Sequence, residues 1–243
     1  MKLKGIIKIQ GNIRAISGIS IGSTSSALEV NVYENDIIKT SQGVPYISGS
    51  SLKGKLRDML AKIAGSKDEI EDLEENPNIS KLFGSPENIK ENNLAIDSRL
   101  LIQDAYAKTI IEKRGNKIIK RFADDKFINA QTEYSFVELK TENTIDRFSK
   151  KSMPRKLIRT LPEAIFPFEL KYKILDNDKN EHLKQIKTAL KMLEDEYIGG
   201  NGSRGNGQIE FEKVEVTEYL ITDFVLNKKG TMLYTDLLNQ EIN

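Results

Sequence analysis

The 243-residue sequence contains no cysteine and a single histidine, His182. Without cysteine there can be no disulfide, no thiol nucleophile and no thiolate metal site. One histidine cannot supply the acid and base of a two-histidine nuclease, and the scarcity of His and Cys removes the ligands that zinc favours. Long apolar runs are missing too. The opening MKLKGIIKIQG alternates polar and apolar residues, unlike the continuous apolar core of a signal peptide or a membrane span. The resulting expectation is a cytoplasmic location with no membrane contact. Nor does one sign of charge dominate, since 37 Lys and Arg nearly balance 36 Asp and Glu.

Global charge therefore gives no argument for a polyanionic partner, but its distribution does. Acids outnumber bases between Gly65 and Glu91, whereas Lys and Arg prevail from Asp104 to Thr160 and in the first 60 residues. A segregated basic region can hold nucleic acid even when the total is neutral.

Leu3, Ile6, Ile7, Ile9, Ile13 and Ile16 are interleaved with polar residues, predicting a long strand over Lys2–Ile16 with a bulge at Gly11. Ser17–Ser26 is small and polar, as a loop would be. Ser50 or Ser51 can cap a helix through SLKGKLRDMLAKIAG, with Leu52, Leu56, Met59, Leu60 and Ile63 on its apolar face. The acidic stretch at about 65–92 reads as a helical insertion. Beyond it come a strand in LAIDSRLLIQDAYA from Leu94, a hairpin-like excursion over Lys108–Gln131, and a strand at Tyr134–Leu139. A polar, basic connection (Thr141–Thr160), a strand (Ala164–Leu175), a helix (His182–Glu194) and a strand (Gln208–Val216) complete the order. Without the excursions this is β-α-β-β-α-β. It predicts an α+β, ferredoxin-like or RRM-like single domain over 1–243, with insertions at about 65–92 and 108–160.

Two glycine motifs need context to be interpreted. Gly49–Lys55 satisfies G-x-x-x-x-G-K, but Leu56 stands where a nucleotide-binding loop needs Ser or Thr for magnesium, and the Gly-Lys pair falls inside the helix. The preferred reading is a helix N-terminus with Ser50 and Ser51, and Lys53, Lys55 and Arg57 facing a phosphate backbone. A plain solvated lysine face is the alternative. GGNGSRGNG, Gly199–Gly207, contains G-x-G-x-x-G but follows a helix and precedes a strand, the reverse of a dinucleotide fingerprint. No nucleotide cofactor is expected. Five glycines around Arg204 suggest backbone contact with a nucleic-acid strand by Gly200, Gly202, Ser203, Arg204 and Gly205. Arg147, Arg155 and Arg159, with Lys150, Lys151 and Lys156 and with Phe148 and Met153 between them, add phosphate contacts and stacking surface. For hydrolysis only carboxylates, lysines and hydroxyls remain. Glu34, with Asp36 as the alternative, can hold a divalent cation, Mg or Mn, and Glu142 lies five residues before Arg147.

Together PYISGSSLKGKLR (Pro45–Arg57), SRLLIQDA (Ser98–Ala105), KTENTIDR (Lys140–Arg147) and LKMLEDEYIGGNGSRGNGQIEF (Leu190–Phe211) resemble the backbone subunit of type III-A (Csm-type) CRISPR effector complexes, in the repeat-associated mysterious protein superfamily. The resemblance implies an RNA-recognition-like core whose copies stack in a filament along a CRISPR RNA beside other CRISPR effector subunits. A hairpin within Lys108–Gln131 would wedge the duplex formed with complementary target RNA. It further implies metal-dependent cleavage of that target by an acidic loop residue, through attack of the ribose 2′-hydroxyl. Glu34 falls where active relatives carry aspartate, and Ser20 where many carry histidine. Lys53, Lys55, Arg57, Glu142, Arg147 and the glycine loop match. A stand-alone RNA-processing endonuclease and a purely structural RNA-binding subunit are the other readings.

Overall fold

The computed structural model describes residues 2–22, 37–65, 77–85, 96–114, 117–122, 136–145, 147–148 and 150–242. Strand β1 (Gly5–Ala15) runs through the middle of the molecule because it is apolar on alternate positions: Ile7, Ile9, Ile13 and Ala15 are fully buried. It pairs antiparallel with β9 (Ile165–Ile174) on one side and β10 (Ile209–Leu220) on the other. The short β3 (Leu100–Ile102) joins the outer edge of β9, and β11 (Thr231–Tyr234) joins β10, giving the order β11-β10-β1-β9-β3. The register slips opposite Gly11, but β1 stays continuous and the extra residue belongs to β10. There Lys213 adopts a positive φ of 53°, and burial changes phase from Ile209 and Phe211 to Val214 and Val216. Gly11 is what lets β10 close in, because a Cβ would stand 3.0 Å from the Glu212 carbonyl oxygen.

Helix α1 (Gly49–Ala64) lies between β1 and β3 in sequence, and α3 (Lys179–Asp195) between β9 and β10. Both contribute to one core through Leu52, Leu56, Met59 and Leu60, and through Leu183, Ile186, Leu190 and Leu193. The cap of α1 is Ser48, not Ser50 or Ser51. The Ser48 Oγ accepts the Ser51 amide at 3.2 Å, while Asp104 takes the Gly49 amide at 2.7 Å. The helix consequently begins earlier, and Gly54 and Lys55 lie in its interior. Ile63 is 54% exposed, since the last turn overhangs the core before Gly65 ends the helix at φ 75°.

Within the acidic stretch, α2 (Pro77–Phe83) buries Ile79, Leu82 and Phe83 in the same core. The segment from Leu94 divides into β3 and β4 (Ala105–Tyr106), the latter paired with β2 (Tyr46–Ile47). A hairpin of β5 (Thr109–Arg114) and β6 (Lys117–Phe122) occupies the first excursion. The expected connection Thr141–Thr160 is instead part of a second hairpin, β7 (Val137–Ile145) with β8 (Ser152–Thr160). Its sequence hid the strands because few of its positions face a core and the alternation is mostly between polar residues. The short α4 (Ile221–Val225) and β11 lie beyond Gln208–Val216, the last strand expected from the sequence.

Candidate RNA-binding site

The glycine run and the β7–β8 hairpin meet. Gly202–Arg204 forms one 3-10 turn between Asn201 and Gly205, both left-handed, and the loop backbone is fixed against the first polar loop. Ser20 bridges to Gly199, the Gly200 amide donates to the Ser20 carbonyl at 2.7 Å, and the Gly207 amide donates to the Gly18 carbonyl at 3.0 Å. Most of these glycines make room for the protein's own chain. A Cβ at Gly202 would fall 1.9 Å from the Tyr197 ring, and one at Gly207 would lie 2.1 Å from the Ile198 carbonyl oxygen. Gly205 differs: its φ is 80° and nothing lies within 4 Å of the Cβ position.

Asn206 is the buried centre of this junction, and only the fold reveals it, since a lone Asn in a glycine run carries no signal of its own. Its Oδ1 accepts Lys140 Nζ at 3.2 Å and an Arg159 guanidinium nitrogen at 2.9 Å. Lys140 also donates to the Arg204 carbonyl and pairs with Glu142 at 2.7 Å. Arg159 pairs with Glu138 at 2.6 Å, and Arg204 approaches Glu142 at 3.8 Å. The hydrogen bond from Lys140, with the charges of Arg204 and Arg155, holds the Glu142 carboxyl below its usual range. Glu142 thus organises cations. Arg155 stands directly across the hairpin from it and is exposed. Arg147 and Phe148 are exposed at the tip, Phe148 at 98%.

On α1 the expected single basic face divides in two, because residues two apart on a helix point to nearly opposite sides. Lys55 turns toward the end of α3, pairing with Glu196 at 3.1 Å and lying 4.5 Å over the Tyr197 ring. Lys55 and Lys62 in turn hold the Glu196 carboxyl below its normal range. Lys53 turns toward β3 and donates to Ser98 Oγ at 2.8 Å. Burial, and then the charges of Arg57 and Lys173, bring its ammonium pKa down. Ser50 is exposed beside the cap, and the Ser51 hydroxyl contacts Ser48 at 2.7 Å.

Glu34 and Asp36 lie outside the described residues. The neck of their segment is described: Gly22 bridges Ile37, and the Ile38 amide donates to the Ile21 carbonyl at 2.9 Å, next to the Ser20–Gly199 contact. Among the described residues, no group of three or more His, Asp or Glu is arranged to hold a metal ion. His182 is a core residue, fully buried and 2.7 Å from the Tyr172 hydroxyl, and burial pushes its pKa down to about 4. Nearby, Arg99 is buried and bonded through two nitrogens to Asp176 at 2.8 and 2.7 Å, which holds that carboxyl down at about 2.

Residues 12–210 match the family pattern of the RAMP superfamily. The chain belongs to this superfamily. Proteins similar to it include the "CRISPR system Cms endoribonuclease Csm3" of Streptococcus thermophilus, 34% identical over 87% of this chain and 89% of the relative. The protein of the same name from Methanocaldococcus jannaschii is 31% identical over 89% and 82%. Among solved structures, the Csm3-Csm4 subcomplex of the type III-A CRISPR-Cas interference complex contains a chain that superposes with a TM-score of 0.57 at 23% identity, covering 98% of this chain and 93% of the other. A chain of the type III-B Cmr-beta complex bound to cognate target RNA gives 0.58 at 16% identity, covering 87% and 61%. These two likenesses establish a shared mixed α/β fold. No described helix is long and apolar enough to cross a membrane.

Proposed function

We propose that this chain is the guide-RNA-binding backbone subunit of a type III CRISPR effector complex, with several copies stacked along one CRISPR RNA beside other effector subunits. The observation that carries this reading is the 34% identity to a Csm3 protein over nearly the full length of both chains. The fold supports it. Strands β10-β1-β9-β3 stand in sequence order fourth, first, third, second, and α1 and α3 share one core, which supports a ferredoxin-like plan like that of RNA-recognition domains. The 108–160 insertion supplies both hairpins to this unit.

Along its central strands the open sheet face offers a base charged groups rather than rings, and Tyr219 at its end already lies under Lys8. Lys8, Gln10, Arg14, Glu169, Lys171 and Glu210 lie on that face, and Arg14 is already bonded to Glu163, Glu210 and Glu212. The grip falls instead to Lys53 and Arg57, the exposed Arg147 and Arg155, and the backbone around Gly205. Reconstitution with the other effector subunits, followed by nuclease digestion, should leave guide fragments whose lengths step by a constant increment. Fragments without a regular step would overturn the filament.

Cleavage of bound target RNA is the second part of the proposal. Glu34, or Asp36, offers the oxygen ligands that Mg or Mn prefers, and the cation would supply charge stabilisation for the 2′-hydroxyl attack. A Glu34→Gln complex should keep its RNA and lose regularly spaced cuts in the target. Cuts that persist would remove Glu34 from the reaction. Trimming of repeat RNA by the isolated chain would instead favour a stand-alone processing enzyme.

A further inference from the structure

Cations near a surface are informative only after their acids have been assigned. Lys55 has Glu196 and Asp58, Lys62 has Asp58 and Glu196, and Lys81 has Asp178. On the sheet, Lys171 has Glu169 at 2.9 Å and Lys179 has Glu218 at 2.9 Å. Lys53 departs from this pattern. It is half-buried, its ammonium donates to the Ser98 hydroxyl, and no carboxylate among the described residues pairs with it.

Lys173 joins Lys53 through the sheet edge. The Ser98 hydroxyl donates to a backbone carbonyl, that of Leu82 in α2 or of Leu100 in β3. Next in sequence, the Arg99 carbonyl accepts the Lys173 amide at 2.9 Å, and Leu100 pairs with Tyr172. Because β9 alternates, Tyr172 points into the core and Lys173 points away from it. Lys173 likewise has no ion-pair partner among the described residues, and its charge is close enough to depress the Lys53 ammonium pKa. Asp176 is committed to the buried Arg99 by two hydrogen bonds, and the exposed Asp97 beside Ser98 makes no ion pair with either lysine among the described residues.

Two like charges held together without a counter-charge destabilise the free protein and create a place where an anion is favourable. We infer that Lys53 and Lys173 together form a phosphate-binding site at the β3–β9 edge, which takes a backbone phosphate of single-stranded RNA and makes Lys173 an RNA-contacting residue. This inference rests on the RNA-binding reading above and adds to it a residue on a strand that no glycine or arginine motif marks. A phosphate fits better than a base because both donors are flexible ammonium groups that act as point charges, and among the described residues neither makes a ring contact.

The test is the salt dependence of binding by the full chain to fluorescein-labelled, mixed-sequence single-stranded RNA. Each phosphate neutralised on a single strand contributes about 0.7 to the slope of log K against log salt. Lys173→Met should lower the slope by about 0.7 and weaken binding alike for unrelated sequences, and Lys173→Arg should restore the slope. Lys171→Met removes the same charge from the same face two residues away, but from an acid-paired lysine, and should leave the slope unchanged. Equal slopes for Lys173→Met and the unmutated chain would overturn the site while leaving RNA binding intact. Absence of binding by the unmutated chain would instead overturn the underlying RNA-binding reading and the site with it. Thermal melting of each variant separates a lost contact from a lost fold.

Discussion

Two basic regions of this protein meet solvent on different terms. Where the glycine loop docks on the β7–β8 hairpin, Lys140, Arg159 and Arg204 are all tied to Glu142, Glu138 or Asn206. At the β3–β9 edge, Lys53 rests on a hydroxyl and Lys173 has no acid among the described residues. The first region has more cations and looks more like a nucleic-acid site in sequence. Yet much of its charge is used to join one part of the chain to another. A basic patch is therefore to be weighed by charge left over after internal pairing, because a paired cation must give up its acid before it gains a phosphate.

Acid should separate the two regions most strongly. His182 lies close to Arg99, beneath the β3–β9 edge, and its folded pKa of about 4 is below the unfolded value near 6.5. The unfolded chain therefore takes up the proton first. Stability is complete above about pH 6.5 and falls as the pH drops toward 4, by up to about 3 kcal/mol for this one group. Asp176 continues the loss below about 3.8, as the pH falls toward 2. Denaturant unfolding of His182→Gln should show a flatter pH profile between 6.5 and 4. An unchanged profile would move the acid sensitivity elsewhere.

Next in size is a substitution in the junction. Gly207→Ala combines a positive φ of 78° with a Cβ 2.1 Å from the Ile198 carbonyl oxygen, and should cost about 2 to 3 kcal/mol in thermal or chemical unfolding. Gly205→Ala has the strained φ alone and should cost about 1 kcal/mol. Equal costs would mean that the loop is not packed on its own chain in the way described. The smallest effect on stability should come from Glu142→Gln, less than about 1 kcal/mol for this solvent-screened cluster. Its consequence should appear in RNA binding, where releasing Lys140 and Arg204 steepens the salt dependence by about 0.7 per cation that then meets a phosphate. No steepening would show that both cations already reach RNA in the unmutated chain.

The core was legible because its signals are local and periodic. Alternating isoleucines in β1, the i, i+4 leucines of α1 and the apolar stripe of α3 fix which side each element buries. The order of elements along the chain then leaves few ways to build the sheet. The β7–β8 hairpin was not legible past Leu139, since Lys140, Glu142, Arg155 and Arg159 pair across strands with no apolar alternation to mark them. The glycine run stands out by composition alone, but its close contacts are with Tyr197, Ile198 and Ser20, which are distant or unmarked in sequence. Lys53 and Lys55 look equivalent as letters. Their separation follows from helix geometry together with Glu196, which sits 141 positions from Lys55 and could not be foreseen.

The Gly22–Ile37 bridge has a consequence for how such a protein can diverge. It closes the stem of the segment carrying Glu34 and Asp36 before that segment begins, and Ser20, just ahead of the stem, is locked to Gly199. Substitutions at Gly22 or Ile37 would therefore disturb the stem, and substitutions at Ser20 or Gly199 the seat of the glycine loop beside it.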